Sequence, residues 1–313
     1  MREKVLTLAP PSRIRRIRLP GKLFSRQAGL AYLLSAPAVF LMLLLLIGPV
    51  LLVCLMSFTD YQLGEQTFSF TGLENYRQLF SSEEFWKSLR NTIVYVSTVV
   101  PVSTALGLGI ALLVESCKIW KAFYRAVYFL PVMATLVAMA IVWSFVLNPD
   151  FGLLNLVLHQ FGFEGPNWLN DPSTALFSIC CIGIWQTTGF NMVLFMAGLS
   201  SIPRELYDAA EIDGAGSAWD QFRTVTWPLL GPVTFFVVII SSIRSFQVFD
   251  LVQVLTKGGP NKSTEVLIYS LYTEGFSFFR TSYAAAISVV FLVFVVILTL
   301  IKSRFMEKKV HYS

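Results

Sequence analysis

The chain has 313 residues, 55% of them hydrophobic and only 14% charged, with a mean hydropathy of +0.64. No soluble domain of this size tolerates so many apolar side chains on its surface, so the composition indicates a membrane protein. The net charge of +5 comes from residues clustered beside apolar runs, a pattern of membrane orientation that sets nucleic-acid binding aside.

Residues 1–29 form a basic segment containing Pro10 and Pro11 and eight Lys and Arg. A flexible cytoplasmic tail lying against anionic lipid is expected there. The apolar run 30–57 is too long for a signal-peptide core and lacks a small-x-small cleavage site, so it reads as a retained first span. A spanning helix needs about 20 apolar residues. Further runs at 92–114, 126–147, 174–199, 229–252 and 282–301 bring the expected spans to six within an all-α membrane domain over 30–302, followed by a cytoplasmic tail over 303–313. Pro37, Pro49, Pro101 and Pro131 fall in or near these runs and predict kinks, not breaks. Cys54, Cys117, Cys180 and Cys181 lie in or at the edge of the runs without disulfide or metal-ligand spacing and read as small apolar fillers.

Orientation follows from the basic residues. With the N-terminus inside, 17 of the 24 Lys and Arg fall in inner segments and six in outer ones, leaving Arg244 within a span. The even span number then places both termini in the cytoplasm.

The inner segment 200–228 differs in polarity and length from the other inner loop. Pro203 suits the first turn of a helix, Glu205 and Asp208 sit near its positive end, and Asp213-Gly214-Ala215-Gly216 ends it. Ser217 and Asp220 have capping-box spacing, which predicts a second helix to about Val225 that Pro228 stops. Small Ala209 and Ala210 leave room for another surface to approach. Local chemistry alone also permits an ordinary amphipathic connector.

The string Glu205-Leu206-Tyr207-Asp208-Ala209-Ala210-Glu211-Ile212-Asp213-Gly214-Ala215, followed by Val225-Thr226-Trp227-Pro228, resembles the EAA loop of ABC-importer permeases. Asp208 stands where that family usually has Glu, and Trp227 where it usually has Leu. Phe246-Gln-Val-Phe-Asp250, Thr256-Lys-Gly-Gly-Pro-Asn261 and Thr264, Tyr269 to Phe276, and Ala284-Ala-Ala286 narrow the resemblance to carbohydrate importers of the maltose and glycerol-3-phosphate type. So do Asn75-Tyr76, Asn91-Thr92, Phe129-Leu-Pro131, Gly152-Leu-Leu-Asn155 and Trp168-Leu169, and together they point to the first of two related permeases. The resemblance implies a bacterial inner-membrane location and a heterodimer with a second permease. It also implies two cytosolic ATPase subunits and an extracytoplasmic solute-binding protein. In that family the loop is a coupling helix seated in a groove of the ATPase, a role that falls here on Glu205, Leu206, Asp208, Ala209, Ala210, Asp213 and Gly214.

ATP and Mg are expected on the ATPase partners, with no cofactor and no enzyme activity in this chain. The nearest approach to a phosphate-cradling loop, Thr256-Lys-Gly-Gly-Pro-Asn-Lys-Ser263, has Thr256 and Asn261 where both required glycines belong. His159 and His311 stand apart from any Cys, Asp or Glu constellation and read as surface residues.

Polar groups inside a bilayer are costly and usually face a bundle interior or a wet cavity. In the fourth span these are Gln186, Thr187, Thr188 and Asn191, with the last three expected on one stripe, facing either the solute path or a neighbouring helix as glue. A charge such as Arg244 costs about 2.5–3.5 kcal/mol at bilayer depth on insertion scales. With Gln247 three residues on, it should face the path or pair with Asp250. Tyr283 is a further path candidate. Two other readings compete: an ion-coupled secondary transporter, which would need intramembrane carboxylates and repeats, and a membrane receptor or assembly subunit without transport.

Overall fold

A computed structural model describes residues 26–117 and 119–307. The basic tail expected over 1–29 lies outside the described residues as far as residue 25, as does the end of the tail expected over 303–313. The chain divides into two units, residues 1–52 and 53–313.

In the first unit, α1 (Arg26–Met42) contains Pro37 and leads through a π turn (Leu43–Ile47) into α2 (Gly48–Met56), whose last residues belong to the second unit. The π turn has a local cause. Pro49 has no N–H and its ring crowds the preceding turn, and the widened turn, in which the Gly48 amide donates to the Leu43 carbonyl, relieves that crowding.

The second unit continues with α3 (Glu74–Ser81), α4 (Glu83–Ser116), α5 (Lys121–Met133), α6 (Leu136–Val146), α7 (Leu153–Gln160) and α8 (Ala175–Ser200). Then follow α9 (Arg204–Ile212), α10 (Ala218–Gln221), a π turn (Phe222–Thr226), α11 (Trp227–Leu229), α12 (Gly231–Phe246), α13 (Asp250–Leu255), α14 (Leu267–Tyr272), a π turn (Thr273–Ser277) and α15 (Thr281–Glu307). Among the described residues there is no strand beyond an isolated bridge between Thr59 and Phe70. Among the described residues five helices or helix runs are long and apolar enough to cross a membrane, and a bent pair, α5 with α6, makes the sixth candidate.

That pair corrects the expectation of a kink in the third run. The chain bends by 98° between α5 and α6. Ala134 is extended and the Thr135 hydroxyl accepts from the Ala138 amide, so after α5 ends at Met133, two residues beyond Pro131, a new helix starts with its own cap. Pro228 is a second correction. It does not stop the loop helix, because the π turn before it again removes the crowding and the chain runs through α11 to within one residue of α12.

The core of the second unit is α4 packed along α8, with α12 against both. Gly107 permits the close approach: a Cβ there would stand 2.7 Å from the Asn191 Cβ and 3.1 Å from the Met192 nitrogen. Membrane helices associate through such small residues and through hydrogen bonds between polar side chains. Asn191 supplies the latter. Fully buried, it donates from Nδ2 to Ser103 Oγ on α4 (3.2 Å) and accepts at Oδ1 from Ser241 Oγ on α12 (2.8 Å).

At the end of the unit opposite α9, paired motif residues of the sequence lock the loops. Asn75 donates to the carbonyls of Ser57 (3.0 Å) and Thr59 (2.7 Å), and the Tyr76 hydroxyl bonds Ser57 Oγ at 2.7 Å. Asn91 donates to the Lys262 and Glu265 carbonyls, while Thr92 accepts from the Leu267 amide. Trp168 donates to Asn155 Oδ1 (2.6 Å), and Asn155 in turn donates to the Pro149 carbonyl. Asn75, Asn91, Thr92 and Asn155 satisfy backbone groups that bilayer or loop burial would otherwise leave unpaired, and Tyr76 and Trp168 bond the side chains of Ser57 and Asn155.

The tight α4–α8 contact makes a stability prediction. Overpacking of a close contact costs about 1–3 kcal/mol. Gly107→Val should therefore lower the thermal midpoint of the detergent-purified protein by several degrees, while Gly109→Ala, which meets nothing within 4 Å, leaves it unchanged. Equal midpoints would show that the helices do not meet at Gly107.

Candidate functional site

A cavity of about 280 Å³ opens where α8 faces the end of α12, lined among others by Gln186, Thr187, Phe190, Arg244, Gln247 and Leu251. The helix breaks here: α12 ends at Phe246, Gln247 caps it, and α13 restarts at Asp250. Irregular backbone at membrane depth is tolerated where it lines a wet cavity. Arg244 is exposed to this space, with its guanidinium carbon 4.1 Å from the Phe190 ring centroid. It makes no ion pair with Asp250 or with any other described carboxylate. A cation over an aromatic face gains about 0.5–1 kcal/mol at exposed sites, less than the desolvation cost of a charge, so water or a ligand must complete its solvation.

Of the expected path residues, Gln186, Thr187, Arg244 and Gln247 come together on this wall. Thr188, Asn191 and Tyr283 do not. The expected stripe of Thr187, Thr188 and Asn191 splits, because consecutive helical positions point about 100° apart. Thr188 is buried with its hydroxyl on the Ile184 carbonyl (2.7 Å), and Asn191 acts as interhelical glue. Tyr283 sits in a separate cluster with Leu79, Phe85, Leu267 and Ile287, under the Arg280 guanidinium at 4.4 Å. Sequence reasoning missed Phe190, although it lies four residues after Gln186 and three after Thr187 on the same helix face.

At the other end of α8 the chain projects a loop. Pro203 precedes α9 with extended backbone, and at its far end Gly214 takes φ +99°, where the Ala215 amide returns to the Ala210 carbonyl (2.9 Å). Ser217 caps α10, accepting from the Asp220 amide (3.1 Å) and donating to its carboxylate (2.6 Å). The loop is anchored by the Tyr207 hydroxyl against Thr226 Oγ1 (3.0 Å) and by Ala210, which is buried in a cluster with Phe195, Leu199 and Leu230. Ala210 therefore serves the chain's own packing. Glu205, Leu206, Asp208, Ala209 and Asp213 stay exposed, and Leu206, Ala209, Asp213 and Gly214 border a groove of about 520 Å³.

Opposite α9, the charges form a separate network. Lys262 is ion-paired with Glu84 and lies 3.9 Å from Glu265. Burial alone would lower its pKa, but those two carboxylates outweigh it and raise the pKa. Glu274 is pushed up by burial in spite of Arg280 at 3.1 Å. Asp171 is held down by the hydroxyl and amide of Ser173.

Residues 103–310 match the family of binding-protein-dependent transport system inner membrane components. The chain belongs to this family. Among its relatives, the sn-glycerol-3-phosphate transport system permease protein UgpA of Agrobacterium fabrum is 32% identical over 91% of this chain and 97% of its own length. The trehalose/maltose transport system permease protein MalF of Thermococcus litoralis is 35% identical over 82% of this chain and 88% of its own. The fold is that of a chain in a crystal structure of a bacterial ABC transporter for the acidic polysaccharide alginate, with a TM-score of 0.79 at 21% identity, covering 90% of this chain and 96% of that one. This chain is thus a membrane component of a transport system, of the permease class.

The cavity geometry is tested by labelling. With the native cysteines replaced, cysteine at Thr187 or Gln247 should react readily with a water-soluble maleimide, and cysteine at Thr188 only after unfolding. Equal labelling of all three would place Thr188 on the wet wall.

Proposed function

We propose that this chain is one of two related, non-identical permeases of an ATP-driven importer for a sugar, sugar-like or polyol solute. It encloses half of the translocation path, and two cytosolic ATPase subunits bind the loop at 200–228. The termini and this loop lie on the cytoplasmic side, in line with the distribution of Lys and Arg. An extracytoplasmic binding protein delivers the solute on the other. Relatives named for sugars and glycerol-3-phosphate, and a fold neighbour solved with an alginate pentasaccharide-bound periplasmic protein, support the solute class and the delivery route.

The observation that carries this reading is that both working surfaces grow from one helix. α8 bears Gln186 and Thr187 on the cavity and runs directly into α9 and its groove. Closure of the ATPase pair would push α9 and, through α8, tilt the cavity wall as a rigid body, switching the path between faces. Arg244, Gln186, Thr187 and Gln247 offer donors and acceptors for hydroxyl-rich solutes, and the Phe190 ring offers an apolar face.

Ala209→Trp adds bulk to the groove without straining the backbone, whereas Gly214→Trp adds strain at φ +99° as well. Both should abolish ATPase copurification and stimulated hydrolysis while the pairing of the two permeases survives. Near-normal hydrolysis in the Ala209→Trp importer would reduce the loop to a connector.

Arg244→Ala should leave assembly and basal hydrolysis intact and lower solute uptake about tenfold, the loss of ~1.4 kcal/mol of contact. Loss of the complex instead would make Arg244 structural.

A further inference from the structure

A second slot, of about 480 Å³, lies at the ends of α4 and α8 opposite the α9 loop, lined among others by Lys87, Arg90, Val94, Leu176, Phe177 and Ser263. Its rim is cationic. The Arg90 guanidinium is exposed and has no partner among the described residues. Lys87 donates one proton to the Asn261 carbonyl and keeps two. Ser263 Oγ is buried in the slot without a partner. Of the neighbouring acids, Glu84 and Glu265 share Lys262 and Asp171 accepts from Ser173, while Glu83 is exposed one turn before Lys87.

Below the rim the slot turns apolar. Val94 and Thr98 lie four and eight residues after Arg90, about 6 and 12 Å further along the helix. On the facing helix, Leu176 and Phe177 open the first turn of α8, and Phe177 is 60% exposed. Positive charge at headgroup level above an apolar wall at acyl-chain depth fits one class of ligand. A soluble partner could meet the rim but could not reach the lower wall.

We propose that this slot holds an anionic phospholipid of the leaflet opposite the α9 loop, its phosphate on Arg90 and Lys87 and within reach of Ser263, with one acyl chain along Val94, Leu176 and Phe177. The site is independent of the solute that the larger assembly carries. A lipid held there would brace α4 against α8 next to the loop that Asn91 and Thr92 lock, beside the Lys87–Asn261 contact.

The test is native mass spectrometry of the whole importer isolated with its partners and equilibrated with phosphatidylglycerol and phosphatidylethanolamine of identical chains. Phosphatidylglycerol should be retained preferentially, and millimolar inorganic phosphate should not displace it. Arg90→Gln should reduce that retention about fivefold, the usual worth of one basic side chain near a headgroup, and Arg90→Lys should restore most of it. Because Arg90 makes no hydrogen bond or ion pair among the described residues, neither variant should disturb folding. Equal retention of the two lipids, displacement by phosphate, or an unchanged Arg90→Gln importer would each overturn the lipid site. Weaker docking of the binding protein on Arg90→Gln with lipid retention intact would also overturn it, since the slot would then belong to that partner.

Discussion

The arrangement of the second unit depends on one buried amide. Asn191 bridges α4 through Ser103 and α12 through Ser241, and Gly107 lets α4 come within van der Waals distance of it. In hydrocarbon an interhelical hydrogen bond contributes only about 0.6–1.7 kcal/mol, so two such bonds do not hold the unit together by energy alone. Their effect is on register. An unpaired amide at this depth would be expensive, so α8 cannot rotate or slide without losing both partners at once. With that rotation fixed, Gln186, Thr187 and Phe190 face the cavity and the C-terminal end of α8 delivers α9 in a defined direction.

Departures from regular helix occur where a residue or a surface requires them. π turns precede Pro49 and Pro228 and let apolar helices run through prolines that would otherwise kink them. The break at residues 134–135 differs, because the chain bends by 98° there, whereas the interruption at 247–249 lies within one run over Gly231–Leu255; the cavity lies beside both, bordered by Leu136 and by Gln247. The polar wall therefore joins helix ends at Arg244 and Gln247, where backbone groups are free to face water, to the mid-helix face of α8 that bears Gln186 and Thr187.

Much of this was legible in the sequence. Apolar runs gave the spans because every backbone group in a bilayer must be satisfied within a helix, and the Pro203, Gly214 and Ser217 signals placed the loop elements because capping chemistry is local. The motif pairs Asn75-Tyr76 and Asn91-Thr92 had a visible pattern but no visible role; in space they are the side chains that pin loops to helices. The facing of polar residues was harder to read. Thr187 and Thr188 differ by one position and by opposite fates, since the choice between wet wall and interhelical glue depends on which neighbour α8 meets, a tertiary fact. Tyr283 looked like a path residue for the same reason and belongs to a different cluster. Pro228 failed as a stop signal because the π turn that accommodates it leaves no mark in a helix-period pattern.

These elements combine into one working account, in which the α9 loop and the cavity wall move together as a single body. Membership in the inner-membrane component family establishes the setting, and the Asn191 clasp supplies the rigidity that such transmission needs. The most direct measurement uses spin labels on cysteines at Asp208 and Gln247 of the reconstituted importer, with their separation read by pulsed electron resonance in nucleotide-free and ATP-bound states. The account predicts the same separation within this chain in both states, while the distance from either label to the second permease changes. A shift of the distance within the chain, with α9 moving and the cavity wall staying still, would contradict it.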